Sequence, residues 1–137
     1  MNVGIHLQFS GQCREAFEFY RDLLGGTEFT MTTFRETPAG ADAPDDFADK
    51  IVHATLTLPF GTLAGADLPG DRFRPPAGFA LLLSVEEPEE AERLFARLAE
   101  GGKVEMPLQQ TFWSLRFGVV TDRFGTPWEV NTTQLPH

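Results

Sequence analysis

Apolar and polar positions along this chain switch between two periods, and they do so twice in the same order. Val3–Phe9 alternates, with Val3, Ile5, Leu7 and Phe9 on one face and Gly4, His6 and Gln8 on the other, which predicts a half-buried strand. From about residue 13 to 24 the spacing becomes helical. Ala16, Phe19, Tyr20 and Leu23 form a stripe, with Arg14, Glu15, Glu18, Arg21 and Asp22 turned to water. Gly25-Gly26 supplies a left-handed stop. Period-two segments follow at 27–35, 50–58 and 62–67, the last two joined by Pro59-Phe60-Gly61. Residues 36–49, rich in Pro, Gly and Asp (Asp42, Asp45, Asp46, Asp49), predict a mobile, solvated acidic loop.

After a Pro/Gly-rich segment, Leu68–Gly78, the plan repeats. Phe79–Val85 predicts a strand, and Pro88 suits the first turn of a helix whose stripe is Ala91, Leu94, Phe95 and Leu98. Gly101-Gly102 ends it, and strands are expected at 103–110, 113–121 and 126–132. The likeness extends to the letters: residues 14–26 and 90–102 each run from a Glu-Ala start through an aromatic and a Leu to Gly-Gly. The expectation is a single α+β domain over 1–137. It is built from two βαβββ modules, 1–67 and 78–133, with eight strands and two helices.

Composition narrows the function classes. The chain has 137 residues, 42% of them hydrophobic, enough for a sizeable core. A net charge of −9 disfavours nucleic acid and anionic membrane surfaces, both of which call for Lys and Arg. No apolar run is long enough to span a bilayer, and Met1 leads straight into a strand with no signal-like segment. Cys13 is the only cysteine, consistent with a reducing compartment, so a cytoplasmic location is expected.

The last strand region carries a recognisable string, Thr121-Asp-Arg-Phe-Gly-Thr-Pro-Trp-Glu-Val-Asn131. It resembles the closing signature of the PhnB-like branch of the vicinal oxygen chelate superfamily, which includes glyoxalase I, bleomycin- and fosfomycin-resistance proteins and extradiol dioxygenases. Leu7–Gly11, Glu15–Tyr20 and Gly25-Gly26 resemble the same branch, so the resemblance covers essentially the whole chain. It implies paired βαβββ modules, commonly in a homodimer. In metal-dependent relatives it also implies four His or Glu ligands from the first and last strands of each module. There the ion acts as a Lewis acid on two adjacent substrate oxygens.

Carried over residue by residue, only the fourth ligand is clearly present, as Glu129. The third falls on Ala80, the first on Gly4 or Ile5 beside His6, and the second on a strand with no carboxylate before Asp67. With one or two of four positions filled, the expected function is metal-free binding of a small molecule in an apolar cavity. No cofactor is expected. The alternative is a divalent-metal-dependent lyase, isomerase or dioxygenase, with Glu129 joined by His6 or His53.

By strand parity His6, Gln8, His53, Arg116, Glu129 and Asn131 are the candidate ligand-facing residues. An Arg facing a closed cavity needs an anionic partner, so Arg116 is expected to meet either Glu129 or a bound anionic ligand. Phe60, Phe112 and Trp113 are candidate apolar lining, whereas Trp128, alternating with Glu129, is expected to pack beneath a helix. Cys13, at a helix start, is expected to be structural.

Overall fold

A computed structural model describes residues 1–41 and 43–135, and Asp42 of the expected acidic loop lies outside them. The first period-two segment forms strand β1 (Ile5–Phe9), followed by helix α1 (Cys13–Leu24) and strands β2 (Glu28–Thr33), β3 (Ile51–Leu58) and β4 (Gly61–Asp67). The second set is β5 (Leu81–Val85), α2 (Pro88–Ala99), β6 (Lys103–Gln109), β7 (Phe117–Thr121) and β8 (Pro127–Thr132). The strands form two four-stranded sheets with the same topology, β1-β4-β3-β2 and β5-β8-β7-β6. In each, the first strand pairs in parallel with the last and the other pairings are antiparallel. The chain divides into two compact units, Met1–Arg74 and Pro75–His137, with the boundary inside the Pro/Gly-rich segment.

Within the first unit α1 lies on β3 and β4. Its Ala16, Phe17, Tyr20 and Leu23 are buried, as are Leu7, Phe9, Ala54, Leu56 and Leu63 on the facing side of the sheet. A Cβ at Gly65 would lie 2.7 Å from the Phe17 ring, so only glycine lets the helix approach this strand so closely. α1 ends at Gly25, whose φ of 75° and N–H bond to the Arg21 carbonyl make the left-handed cap. In the second unit α2 covers its sheet through Ala91, Leu94, Phe95 and Leu98, and Trp128, Val130 and Val120 are buried beneath it.

Three expectations are revised, the first being that β7 begins at Phe117 rather than at 113. Strand β2 ends at Thr33 rather than Arg35, because the Thr33 N–H and hydroxyl both bond Glu36 Oε1, at 3.0 and 2.8 Å. This closes a capping box that turns the chain into a short 3-10 helix, Phe34–Glu36. The expected acidic loop contains two further 3-10 turns, Pro38–Ala41 and Asp45–Phe47, and an ion pair between Arg35 and Asp49 at 3.0 Å.

Candidate functional site

Each sheet has one face under its helix and one face free of it, and register assigns every candidate to a side. On the first sheet Ile5, Leu7 and Phe9 point to the helix, and His6 and Gln8 to the open face. His6 pairs with Ala64, Ala64 with Thr55, and Thr55 with Thr30, to which it is hydrogen-bonded. Gln8 pairs with Ala66, and His53 with Thr32. The open face is therefore a threonine-rich polar surface that carries His6, Gln8 and His53. Ala64 and Ala66 form a low floor along β4. His6 and His53 sit on strands separated by β4, about 10 Å apart across the sheet.

On the second sheet Leu83, Val120, Trp128 and Val130 are buried on the helix side. Glu129 and Asn131 alternate with the last two, and so occupy the open face. Glu129 lies between Leu82 of β5 and Val119 of β7, and Asn131 between Ser84 and Phe117. The Ser84 hydroxyl donates to Asn131 Oδ1 at 2.6 Å. No hydrogen bond or ion pair reaches the Glu129 carboxylate from the described residues. Trp113 stands edge-on to Phe117 with centroids 5.4 Å apart, and Phe112 edge-on to Trp113 at 4.6 Å. Leu82, Phe112 and Trp113 are exposed. This face joins an unpaired carboxylate and an oriented amide to an open aromatic and aliphatic surface. Phe60 stands exposed at the β3–β4 turn of the first unit.

Arg116 departs from expectation. It shares strand parity with Gly118, whose position is pressed against Phe95 of α2, and so it turns to the helix side, opposite Glu129. Its Nε bonds Glu92 Oε1 at 3.1 Å and its Nη1 the Leu115 carbonyl at 2.8 Å. The expected Arg116–Glu129 pair is replaced by this partly exposed Arg116–Glu92 pair. The pair borders a groove of about 430 Å³ floored by Phe95, Ala96, Val104, Pro107 and Leu108.

Three polar residues that strand parity did not single out hold these frames together. Asp67 is buried, and its carboxylate accepts the N–H groups of Gly11 (3.0 Å), Cys13 (2.9 Å) and Ile51 (2.9 Å). Helix α1 has no capping side chain of its own, so a carboxylate from the end of β4 caps it and ties it to the start of β3. Asp122 does the equivalent work in the β7–β8 turn, accepting from the N–H groups of Phe124 and Thr126 and from the Trp128 indole. Buried Ser114 donates to the Arg116 carbonyl at 2.6 Å and accepts the Thr132 N–H at 3.1 Å. Cys13 is buried, and burial together with the Asp67 charge pushes its thiol well above its ordinary range. It is a packing group, as expected.

A family model described as "Glyoxalase/Bleomycin resistance protein/Dioxygenase superfamily" matches residues 5–130. The chain belongs to that superfamily. Protein YjdN from Escherichia coli (strain K12) is 34% identical over 142 residues, spanning 98% of this chain and 97% of that one. Protein PA1353 from Pseudomonas aeruginosa, of known crystal structure, is 42% identical with a TM-score of 0.82, covering 97% of this chain and 99% of the other. The PhnB protein from Bacillus cereus shares the fold at 24% identity and a TM-score of 0.78, over 96% of this chain and 99% of its own.

The metal that metal-dependent members of this superfamily carry can be tested against the donors present. Within neither unit do the described residues bring together three or more His, Cys, Asp or Glu side chains able to hold an ion. Asp67, the only carboxylate on β4, lies under the helix with its oxygens engaged by three backbone N–H groups. Ala80, at the third position, has no donor atom in its side chain. The donor set of the described residues in each unit does not fit a metal centre. No helix among the described residues is long and apolar enough to cross a membrane.

Proposed function

We propose that this superfamily member is a metal-free small-molecule binding protein that uses the open faces of its sheets. The observation that carries the reading is Glu129, a carboxylate that no described residue pairs, set between Leu82 and Val119 beside the Trp113–Phe117 pair. A carboxylate flanked by apolar side chains gains most from a partner that brings its own N–H donors and leaves the apolar neighbours covered. Trp113 and Phe112 supply faces suited to an aromatic body, or to a cation above the ring. The ligand class is therefore an aromatic or amphiphilic molecule with a basic or N–H-bearing handle. His6, Gln8 and His53 are the corresponding polar contacts on the first sheet. In keeping with the resemblance, the protein is proposed to act in the cytoplasm as a homodimer, which sedimentation velocity would test.

Benzylamine is a minimal probe of the second face. Titrated into ¹⁵N-labelled protein, it is expected to shift the amides of Leu82, Val119, Glu129 and Asn131, and Glu129→Gln is expected to weaken binding about tenfold, as for loss of a charge-assisted contact. Shifts confined to other surfaces, or an unchanged affinity in Glu129→Gln, would refute the assignment. The metal-dependent alternative, a lyase, isomerase or dioxygenase acting on vicinal oxygens, draws on one feature, the position of Glu129. It requires metal binding that depends on Glu129 and on His6 or His53.

A further inference from the structure

The Ser84–Asn131 hydrogen bond specifies one end of that ligand. Asn131 offers an acceptor and a donor on the same planar amide, and an unconstrained side chain presents either by rotating about its last torsion. Here the Ser84 hydroxyl donates to Oδ1 at 2.6 Å, so the carbonyl end is engaged toward β5. The Nδ2 end is left with its two N–H groups, and no described residue accepts from them. Asn131 is half-buried at the centre of its row, with Ser84 on one side and Phe117 on the other, so a ligand over this face meets the amide directly.

We infer that Ser84 is a specificity-determining positioning residue: it holds Asn131 as a donor, so the ligand must place an acceptor oxygen there. The inference rests on the proposed use of this face for binding and adds the chemical class. Glu129 and Asn131 are two residues apart on one strand face, hence about 7 Å apart. The fitting ligand carries an N–H-bearing, basic group at one end and a carbonyl-type oxygen about 7 Å away across a flat apolar body. Molecules whose second polar group only donates are disfavoured, because two donors then face each other beside the Phe117 ring.

Two probes of equal charge separate these cases. 3-Acetylbenzylamine has a carbonyl that only accepts, and 3-(pyrrol-2-yl)benzylamine has a ring N–H that only donates. Amide-shift titrations of the wild-type protein are expected to show the acetyl probe binding about fivefold tighter, the scale of one neutral hydrogen bond. In Ser84→Ala the Asn131 amide is free to turn, and the preference should fall to about unity while both probes still bind. Ser84→Thr keeps a hydroxyl in place and should restore the preference. A preference unchanged in Ser84→Ala, with Leu82, Glu129 and Asn131 still shifting, would overturn the role of Ser84 and leave the binding face intact. Failure of both probes to shift these residues in the wild type would overturn the binding reading and this inference with it.

Discussion

Asp67 shows how much one side chain carries. Its buried carboxylate satisfies three backbone N–H groups, from the α1 start and the β3 start. Asp67→Ala strands them, and chemical denaturation is expected to show a loss of about 3 kcal/mol or more. Arg116 lies at the opposite limit. Its ion pair with Glu92 is partly exposed on both sides, so Arg116→Met should cost under about 1 kcal/mol in the same assay. A loss of several kcal/mol would mean a buried pair, as a partnership with Glu129 would have produced.

The Cys13 thiol gives a pH signature. Its folded pKa lies above the ordinary value of 9.0, so the native state retains the proton longer than the unfolded chain. The stability it contributes is complete below about pH 9 and is lost as pH rises past the unfolded thiol's pKa toward the folded one. Wild-type stability should therefore fall more steeply than that of Cys13→Ala between about pH 8.5 and 10. Parallel curves would show that the thiol titrates normally.

At the scale of elements, both helices and all eight strands were legible from periodicity and from the Gly-Gly stops, because each helix stripe and each alternating strand has one apolar side. What was not legible follows from the same physics. Phe117-Gly118-Val119-Val120-Thr121 is apolar on both parities, so the local pattern does not distinguish which side Arg116 takes; the close packing of Gly118 under Phe95 decides it. The end of β2 depended on Thr33 meeting Glu36, a local bond that competes with strand pairing. The partners of Asp67 are backbone groups as many as 56 residues away, invisible to any local pattern. The Asp122 turn was readable as turn-forming, since Asp-x-x-Gly is a local motif. Close packing makes its own prediction: Gly65→Ala forces a Cβ toward the buried Phe17 ring and should destabilise by about 1–3 kcal/mol in denaturant melts.

At the scale of the molecule, two units of identical topology present unlike open faces. One is polar and threonine-rich around His6, Gln8 and His53; the other is aromatic and aliphatic around Glu129 and Asn131. Superfamily membership establishes the frame, while fold alone does not fix activity. On the proposed reading, the donors on the two sheets serve recognition of an organic ligand. Glu129 stands where both accounts meet, as a contact for an N–H group in one and as a ligand atom in the other.

Thermal unfolding of EDTA-stripped protein and its Glu129→Gln variant, each with Ni²⁺, Mn²⁺, Fe²⁺, Zn²⁺, Mg²⁺ or 3-acetylbenzylamine, separates the two accounts most directly. A ligand at a hundred times its Kd adds about 2.7 kcal/mol, several degrees for a chain of this size. A metal-free binding face gives a Glu129-dependent rise in Tm with the organic amine and none with any metal. A Glu129-dependent rise with one metal, and none with the amine, would contradict it.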